Sequence, residues 1–213
     1  MMQTEEFLKL FRRELILSLP GEKAHVKMAP IGRPVSSIAL KMADKVRESA
    51  VAVVLYKNNG SIECILTQRP EYEGNHSGQV SFPGGKKDPS DLDLEETARR
   101  ECFEEIGIPT DQGILLGQLT DVFIPVSSFL VKAYVIYHDV LPILKKDERE
   151  VSEILSFPLF DLKNEELIST MEIHLPNGTL YQNIPYFDLA DKKVWGATAL
   201  ILSELREILL AIN

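Results

Sequence analysis

A helix with carboxylates along its buried side constrains the fold of this chain more than any other feature. Four apolar residues spaced i+4 form a single stripe on that helix: Leu94, Ala98, Cys102 and Ile106. Glu101 and Glu105 border the stripe, and Glu104 lies beside Glu101 on the same side. An ordinary charged face points away from such a stripe. Because crowded carboxylates near a low-dielectric interior repel one another unless a cation binds them, the helix predicts one side of a divalent-metal site.

A glycine turn comes directly before the helix. In Pro83-Gly84-Gly85 the paired glycines free the backbone to adopt positive φ and let a ligand or a facing helix approach closely. Carbonyl oxygens in such a turn can ligate a hard cation, and Gly107 is placed to cap the helix C-terminus. The alternative is a solvated helix after an ordinary turn, which requires both the carboxylate phase and the glycine pair to be accidental.

Turn and helix together resemble the Nudix box, Gly-x5-Glu-x7-Arg-Glu-U-x-Glu-Glu-x-Gly-U, in which U is an apolar residue. The second half matches in full, with Cys102 and Ile108 at the U positions. The first half is Gly85-x5-Asp91-x8-Arg100, which is one residue longer and has Asp where Glu is expected. The resemblance implies an α/β fold, an α/β/α sandwich on a mixed β-sheet. It also implies hydrolysis of a diphosphate linkage with Mg²⁺ or Mn²⁺.

The residues before the box resemble one branch of the Nudix superfamily, the coenzyme A pyrophosphatases. That branch carries Leu-Leu-Thr-x-Arg-(Ser/Ala)-x3-Arg-x3-Gly-x3-Phe-Pro-Gly-Gly. The residues in register are Leu66, Thr67, Arg69, Gly78 and the run 82–85. Ile65 is a conservative departure, whereas Pro70 replaces the small residue and Gly74 replaces the second Arg. This resemblance implies cleavage of coenzyme A or its thioesters to 3′,5′-ADP and 4′-phosphopantetheine or its acyl form.

The resemblance also implies which residues carry the chemistry. Three helix carboxylates and one turn carbonyl are the expected metal ligands: Glu101, Glu104, Glu105 and Gly85. A carboxylate from a later loop often helps with metal or water in this family. For that role we select Glu150, because it directly precedes the apolar Val151, with Glu153 as second choice. A solvated acidic loop over residues 147–153 is the alternative.

Cationic and polar residues near the motif are candidates for orientation and substrate binding. Arg100 is expected to hold Glu104 or Glu101 ionised and to fix its rotamer. The expected substrate-binding residues are Arg69, His76, Gly84, Gly85 and Lys86. For Arg69 and His76 the alternative is an ordinary surface position. Arg69 and Lys86 are the best candidates to read the 3′-phosphate of coenzyme A. Trp195 is expected in the core, with adenine stacking as the alternative.

Composition limits the partners and the compartment. The net charge of −9 favours neither nucleic acid nor an anionic membrane surface, because both attract Lys and Arg clusters. Cys64 and Cys102 lie in apolar patterns and are expected to be reduced core thiols. There is no apolar run of membrane-spanning length and no signal-peptide pattern at the N-terminus, so a cytoplasmic location is expected.

The order of elements predicts an extension, residues 1–45, before a Nudix domain of residues 46–213. The extension is expected to contain a helix over residues 4–17 and then a loop; the helix could cover the core, form a homodimer contact or shape the substrate pocket. Outside the box, the other expected elements are strands 49–56, 62–68, 113–121, 129–138 and 150–158, a helix over 161–170, a hairpin over 174–181 and a helix over 197–210.

Two rival functions stay open. One is a Nudix enzyme that acts on another nucleoside diphosphate, such as ADP-ribose or NADH. The other is a non-catalytic Nudix-like domain that senses a nucleotide. The intact Arg100-Glu101-x2-Glu104-Glu105 pattern argues against the second, because a sensor has no need of all three carboxylates.

Overall fold

The computed structural model describes residues 3–17, 19–71, 77–174 and 180–212. The α-helices in these ranges are α1 (Thr4–Leu17), α2 (Glu22–His25), α3 (Ser36–Lys41), α4 (Leu94–Ile106) and α5 (Gly196–Ala211). Short 3-10 helices cover Val26–Met28, Leu159–Lys163 and Glu165–Leu167. The strands are β1 (Arg47–Asn58), β2 (Ser61–Gln68), β3 (Val80–Ser81), β4 (Gly84–Lys86), β5 (Ile114–Gln118), β6 (Val122–Ile124), β7 (Phe129–His138), β8 (Glu153–Pro158), β9 (Ile168–His174), β10 (Leu180–Leu189) and β11 (Lys192–Val194). None of the described helices is both long and apolar enough to cross a membrane.

A mixed sheet forms the centre of the fold. Within the described ranges it has eight strands, in the order β3-β2-β1-β7-β5, with β4 paired to β1, β6 to β7 and β8 to β2. The central pair β1–β7 is parallel, and the other pairs are antiparallel. Strands β11, β10 and β9 form a smaller antiparallel sheet.

Helices cover both faces of the mixed sheet. On one face, Ala52 and Val54 of β1 pack in a cluster with the apolar stripe of α4. On the other face, Val53 and Leu55 of the same strand pack in a cluster with α1 and α5. Because both faces of β1 are buried, its apolar residues run continuously rather than alternating with polar ones. The predicted mixed α/β fold, an α/β/α sandwich, is therefore confirmed.

The predicted N-terminal helix is present and belongs to the main core. Phe7, Phe11 and Leu15 are buried and lie in the same cluster as α5. Of the three roles left open for this helix, covering the core is the one that these contacts show. The loop expected after it differs from the prediction, because α2, a 3-10 turn and α3 lie there.

The helix predicted over residues 161–170 is wrong. Two 3-10 turns occupy Leu159–Lys163 and Glu165–Leu167, and β9 begins at Ile168. Asn164 separates the two turns in an extended conformation and accepts a hydrogen bond from the Glu166 amide, which ends the first turn and starts the second. The predicted hairpin is formed by β9 and β10, and its Pro-Asn-Gly turn lies outside the described residues.

Candidate active site

Local capping fixes the start and the end of α4. The Asp93 side chain accepts a hydrogen bond from the Glu96 amide at 2.9 Å, and the Glu96 carboxylate accepts one from the Leu92 amide at 2.6 Å. Gly107 ends the helix in the left-handed conformation at φ 79°. With both ends fixed, the carboxylates of the helix project at defined angles over β4.

Three carboxylates from two elements converge beside this helix. One oxygen atom from each of Glu101, Glu105 and Glu150 lies within 4.8 Å of the other two. Glu105 is only 4% exposed, and its Oε2 atom is buried with no hydrogen-bond partner among the described residues. A buried, unpaired carboxylate oxygen is costly, and a bound cation would satisfy it. An all-oxygen donor set of this kind suits Mg²⁺ or Mn²⁺.

The electrostatics of the cluster reflect burial and crowding. Burial, the largest cause, raises the pKa of Glu105 to about 8; the charge of Arg69 opposes the rise, and that of Glu101 adds to it. Burial likewise raises the pKa of Glu101, against the hydrogen bond from Arg100. Without a cation, the protein therefore disfavours full ionisation of this group.

The two glycines before α4 allow two different close approaches. A Cβ atom on Gly84 would lie 2.4 Å from the Ala50 carbonyl oxygen, so Gly84 lets β4 lie against β1. A Cβ atom on Gly85 would lie 2.4 Å from the Glu101 carboxyl group. Gly85 therefore leaves the space that the Glu101 carboxylate occupies. That the Gly85 carbonyl ligates metal stays a prediction.

Arg100 organises the outer side of the carboxylate group. Its guanidinium donates to both oxygens of Asp91 at 2.9 and 3.0 Å, to Glu101 at 2.8 Å and to Glu104 at 3.0 Å. The hydrogen bonds from Arg100 hold the pKa of the buried Asp91 well below its usual range. These contacts are those expected of an orienting residue, with Asp91 as its anchor.

Glu104 lies outside the group of three. Its side chain is 53% exposed and is paired with Arg100. Helix geometry explains the difference: from Glu101, Glu105 lies about 40° round the helix in one direction and Glu104 about 60° in the other. A ligand role for Glu104 stays a prediction.

The later acidic loop contributes Glu150 and not Glu153. The loop reaches α4 through backbone bonds, with the Asp147 amide donating to the Glu105 carbonyl and the Lys145 amide to the Ile106 carbonyl, both at 2.9 Å. Glu153 instead forms an ion pair with Lys192 of β11 at 2.9 Å.

Of the candidate substrate-binding residues with side chains, two lie within the described residues and one does not. Arg69 follows the end of β2, close enough for its charge to lower the pKa of Glu105. Lys86 is exposed at the end of β4. His76 and Gly74 lie outside the described residues. Trp195 is only partly buried and stands before α5, so the prediction of a core position is wrong. It occupies the N-cap position of α5 and makes no side-chain capping hydrogen bond there.

Comparison with known proteins identifies the family of the chain. The model of the NUDIX domain matches residues 46–176, which is more than half of the chain. The chain belongs to the Nudix family. The prediction of a Nudix enzyme is confirmed, and the chain is a Nudix hydrolase.

Relatives of this Nudix hydrolase include uncharacterized proteins of the same kind. It is 31% identical over 150 residues to the uncharacterized Nudix hydrolase NudL of Yersinia enterocolitica, covering 67% of this chain and 72% of that one. The crystal structure of RenU, a Nudix hydrolase from M. smegmatis, has a TM-score of 0.54 at 16% identity, with 78% of this chain and 88% of that one covered. A C. elegans Ap4A hydrolase has a TM-score of 0.53 at 20% identity, with 79% and 100% covered. At these identities the two structures show the fold alone.

Asp91 is the site residue whose role the sequence reasoning missed. It stands at the Glu position of the Nudix box, yet no partner for it was predicted. Thr97 donates to the Asp91 carboxylate at 2.8 Å, and the Asp88 amide does so at 2.9 Å. Arg100 completes the set. The signal was available, because an acid at a motif position nine residues before an Arg is a candidate ion-pair partner.

Proposed function

We propose that this Nudix hydrolase cleaves the diphosphate linkage of coenzyme A or its thioesters, giving 3′,5′-ADP and 4′-phosphopantetheine or its acyl form. The observation that carries the proposal is the convergence of Glu101, Glu105 and Glu150 beside Arg69. This arrangement joins the Nudix box to the upstream motif that resembles the coenzyme A branch. We also propose that the protein is cytoplasmic, and that residues 1–45 form an extension before a Nudix domain of residues 46–213.

The carboxylates are proposed to hold Mg²⁺ or Mn²⁺. Glu101, Glu105 and Glu150 are the central ligands, and Glu104 and the Gly85 carbonyl are further candidates. When bound there, Mg²⁺ or Mn²⁺ would supply neutralisation of the diphosphate charge and activation of water. One carboxylate of the cluster accepts the proton of the attacking water. Arg100, anchored on Asp91, keeps Glu101 oriented towards Gly85 throughout.

Cations around the cluster are proposed to bind the substrate phosphates. Arg69 lies close enough for its charge to lower the pKa of Glu105, and Lys86 is exposed at the end of the strand that Gly84 and Gly85 begin. The two are proposed to bind the diphosphate and the 3′-phosphate, with His76 as a further contact. A cation that reads the 3′-phosphate would separate coenzyme A from ADP-ribose, which lacks that group.

A Nudix hydrolase of another nucleoside diphosphate is the second candidate function. Gly74 favours it, because this glycine replaces the second Arg of the coenzyme A motif, and any phosphate contact which that Arg makes in the branch would be absent here. ADP-ribose, NADH and the diadenosine polyphosphate of the C. elegans neighbour are the comparators.

A substrate panel tests the choice between these functions. We expect kcat/KM for coenzyme A to exceed that for ADP-ribose by at least about tenfold, or about 1.4 kcal/mol. Dephospho-coenzyme A, which lacks only the 3′-phosphate, is the sharp comparator. Steady-state assays of the purified protein with Mg²⁺ or Mn²⁺ measure these ratios. Equal efficiency on all three would show a general Nudix diphosphatase.

A further inference from the structure

The loop that carries Glu150 is fastened to α4 at one end. The amides of Lys145 and Asp147 donate to carbonyls in the last turn of that helix, each at 2.9 Å. Val151, the residue after Glu150, is fully buried in the cluster beneath α4. Glu150 itself is exposed, so its position depends on these neighbours rather than on its own packing.

The other end of the loop meets β2 at Ser152, directly before β8 begins to pair with that strand. The Ser152 amide donates to the Gln68 carbonyl at 2.9 Å. The Ser152 hydroxyl lies 3.0 Å from that carbonyl and 3.3 Å from the Arg69 carbonyl, within hydrogen-bond reach of both. An exposed serine commonly bonds to water, whereas this one spans two consecutive carbonyls of the strand end that leads to Arg69.

Arg69 is thereby held from two sides. Its amide donates to the Gln79 carbonyl at 3.0 Å, and its carbonyl faces the Ser152 hydroxyl. The serine thus joins the backbone of the cationic residue to the loop that supplies the third carboxylate.

We propose that Ser152 is a positioning residue of the active site. Its hydroxyl fastens the Glu150 loop to the end of β2, so that Glu150 stays within ligand distance of Glu101 and Glu105 while Arg69 stays beside them. The inference rests on the proposed metal site formed by these carboxylates. Replacement by Ala keeps the amide bond to Gln68 and removes only the hydroxyl contacts, so the fold is retained while the loop gains freedom.

Mn²⁺ binding without substrate is the direct readout. We expect Ser152→Ala to weaken Mn²⁺ binding about three- to tenfold, with a parallel fall in kcat/KM at subsaturating Mn²⁺ that saturating Mn²⁺ partly reverses. Ser152→Thr keeps a hydroxyl at the same place and should restore wild-type binding. A serine with only a structural role would lower the melting temperature without changing metal affinity.

Ser156→Ala is the matched control. Ser156 lies on the strand that follows Ser152, and its hydroxyl also bonds to two groups, the Tyr56 hydroxyl at 2.9 Å and the Glu63 carboxylate at 3.2 Å. Neither partner is in the carboxylate cluster, so Mn²⁺ affinity should equal that of the wild type. If Ser152→Ala also binds Mn²⁺ as the wild type does, the positioning role of Ser152 is overturned and the proposed function stands. If the wild type binds no Mn²⁺, the proposed function falls with it.

Discussion

Glu105 shows how one residue connects the fold to the chemistry. It follows Glu104 on the last turns of α4, yet it is buried and Glu104 is half exposed, because neighbouring residues point about 100° apart. Burial of a carboxylate oxygen without a partner opposes folding. The Glu105 oxygen that has no partner among the described residues lies where Glu101 and Glu150 also converge. A buried carboxylate with such an oxygen, placed next to two other carboxylates, is the arrangement that a bound cation would satisfy.

The first prediction concerns the two helix carboxylates. We expect Glu101→Gln and Glu105→Gln each to lower kcat at least about 10²-fold, because each removes a metal ligand or general base. Both variants should fold, since the substitution relieves charge repulsion in the metal-free cluster. Steady-state kinetics and circular dichroism measure the two effects.

Glu95→Gln is the control for these variants. Glu95 lies on the same helix and forms an i,i+4 pair with Arg99 at 2.8 Å, away from the carboxylate group. Loss of that pair should cost about 0.3–0.5 kcal/mol of stability and leave kcat near the wild-type value. Damage equal to that of Glu101→Gln would show that the assignment of the cluster is wrong.

The second prediction separates the two acids of the later loop. We expect Glu150→Gln to lower kcat at least about tenfold and to weaken Mn²⁺ binding, whereas Glu153→Gln should change either quantity less than about twofold. The reason is geometric: Glu150 joins the carboxylate group, and Glu153 is paired with Lys192. Parallel titrations with Mn²⁺ and single-turnover assays measure the difference. The opposite order of effects would show that Glu153, and not Glu150, is the carboxylate of this loop that binds the metal.

Part of the candidate site could be predicted from residues alone. Helical phase placed Glu101 and Glu105 beside the apolar stripe, and the structure brings them together. Helical phase also placed Arg100 beside Glu104, and Arg100 bonds to both Glu104 and Glu101, but the phase could not show where the guanidinium is anchored. The anchor, Asp91, lies across a turn, and a contact of that kind is set by tertiary structure rather than by periodicity.

At the scale of elements, long periodic segments were predictable and short ones were not. Strand β7 covers Phe129–His138, the bounds predicted from its pattern, and α5 extends the predicted helix by one residue at each end. The short helices α2 and α3 were missed because contacts between distant residues hold them. The Glu22 carboxylate accepts bonds from the amide and hydroxyl of Ser37, and the Ser36 hydroxyl accepts one from the Phe123 amide. The periodicity of apolar residues along the sequence does not predict such bonds.

Helix α5 carries a buried carboxylate that ties three elements together. Glu204 is fully buried and accepts hydrogen bonds from the Gly21 amide at 2.9 Å, the Thr120 amide at 3.0 Å and the Thr120 hydroxyl at 2.6 Å. The His25 ring lies 3.2 Å away. Burial raises the pKa of Glu204, but the bonds with His25 and Thr120 outweigh it, and the pKa lies below the ordinary value of 4.5.

The third prediction follows from that lowered pKa. A carboxyl group with a lowered pKa in the folded state contributes stability above its unfolded pKa and loses it as the pH falls through the folded value. We expect Glu204→Gln to destabilise the protein by about 1–3 kcal/mol at pH 7, because buried donors lose a charged acceptor. The difference from the wild type should shrink below about pH 4.5. Urea unfolding at pH 7 and pH 4 measures it.

Glu207→Gln is the control on the same helix. Glu207 is partly exposed and pairs with Lys27 at 2.8 Å, so its loss should cost less than about 1 kcal/mol. Asp121 is a second acid near Glu204, and the Glu204 charge helps to raise the pKa of Asp121. Asp121 is present in the wild type, in Glu204→Gln and in Glu207→Gln. An undiminished gap between wild type and Glu204→Gln at pH 4 would contradict the assignment of acid sensitivity to Glu204.

At the scale of the whole molecule, one core holds the two ends of the described chain together. Phe7 and Phe11 of α1 lie in the same apolar cluster as Leu202 and Leu205 of α5. The opposite face of the sheet carries α4 and the carboxylate group. Covering one face with the chain ends leaves the other free to present the site. A cation bound between α4 and the later loop would therefore stabilise the folded state as a whole.

The fourth prediction uses this coupling between metal binding and folding. A ligand that binds only the folded state stabilises it by RT ln(1 + [L]/Kd), or about 2.7 kcal/mol at a hundredfold excess over Kd. For a chain of this size that corresponds to a rise of about 5–10 °C in melting temperature. We expect Mn²⁺ to produce such a rise in the wild type, a much smaller one in Glu105→Gln, and the full rise in Glu95→Gln. Differential scanning calorimetry with and without Mn²⁺ measures all three.

Hydrolysis should depend on the same cation, because three carboxylates converge where the diphosphate is proposed to bind, and their charge outnumbers that of the nearby Arg69. We therefore expect excess EDTA to abolish turnover and added Mg²⁺ or Mn²⁺ to restore it. The calorimetric and kinetic titrations should report the same apparent affinity if one site serves both. Undiminished turnover in EDTA would remove the basis for a metal-dependent mechanism. A metal-induced rise in melting temperature that persists in Glu105→Gln would place the stabilising cation elsewhere on this acidic protein.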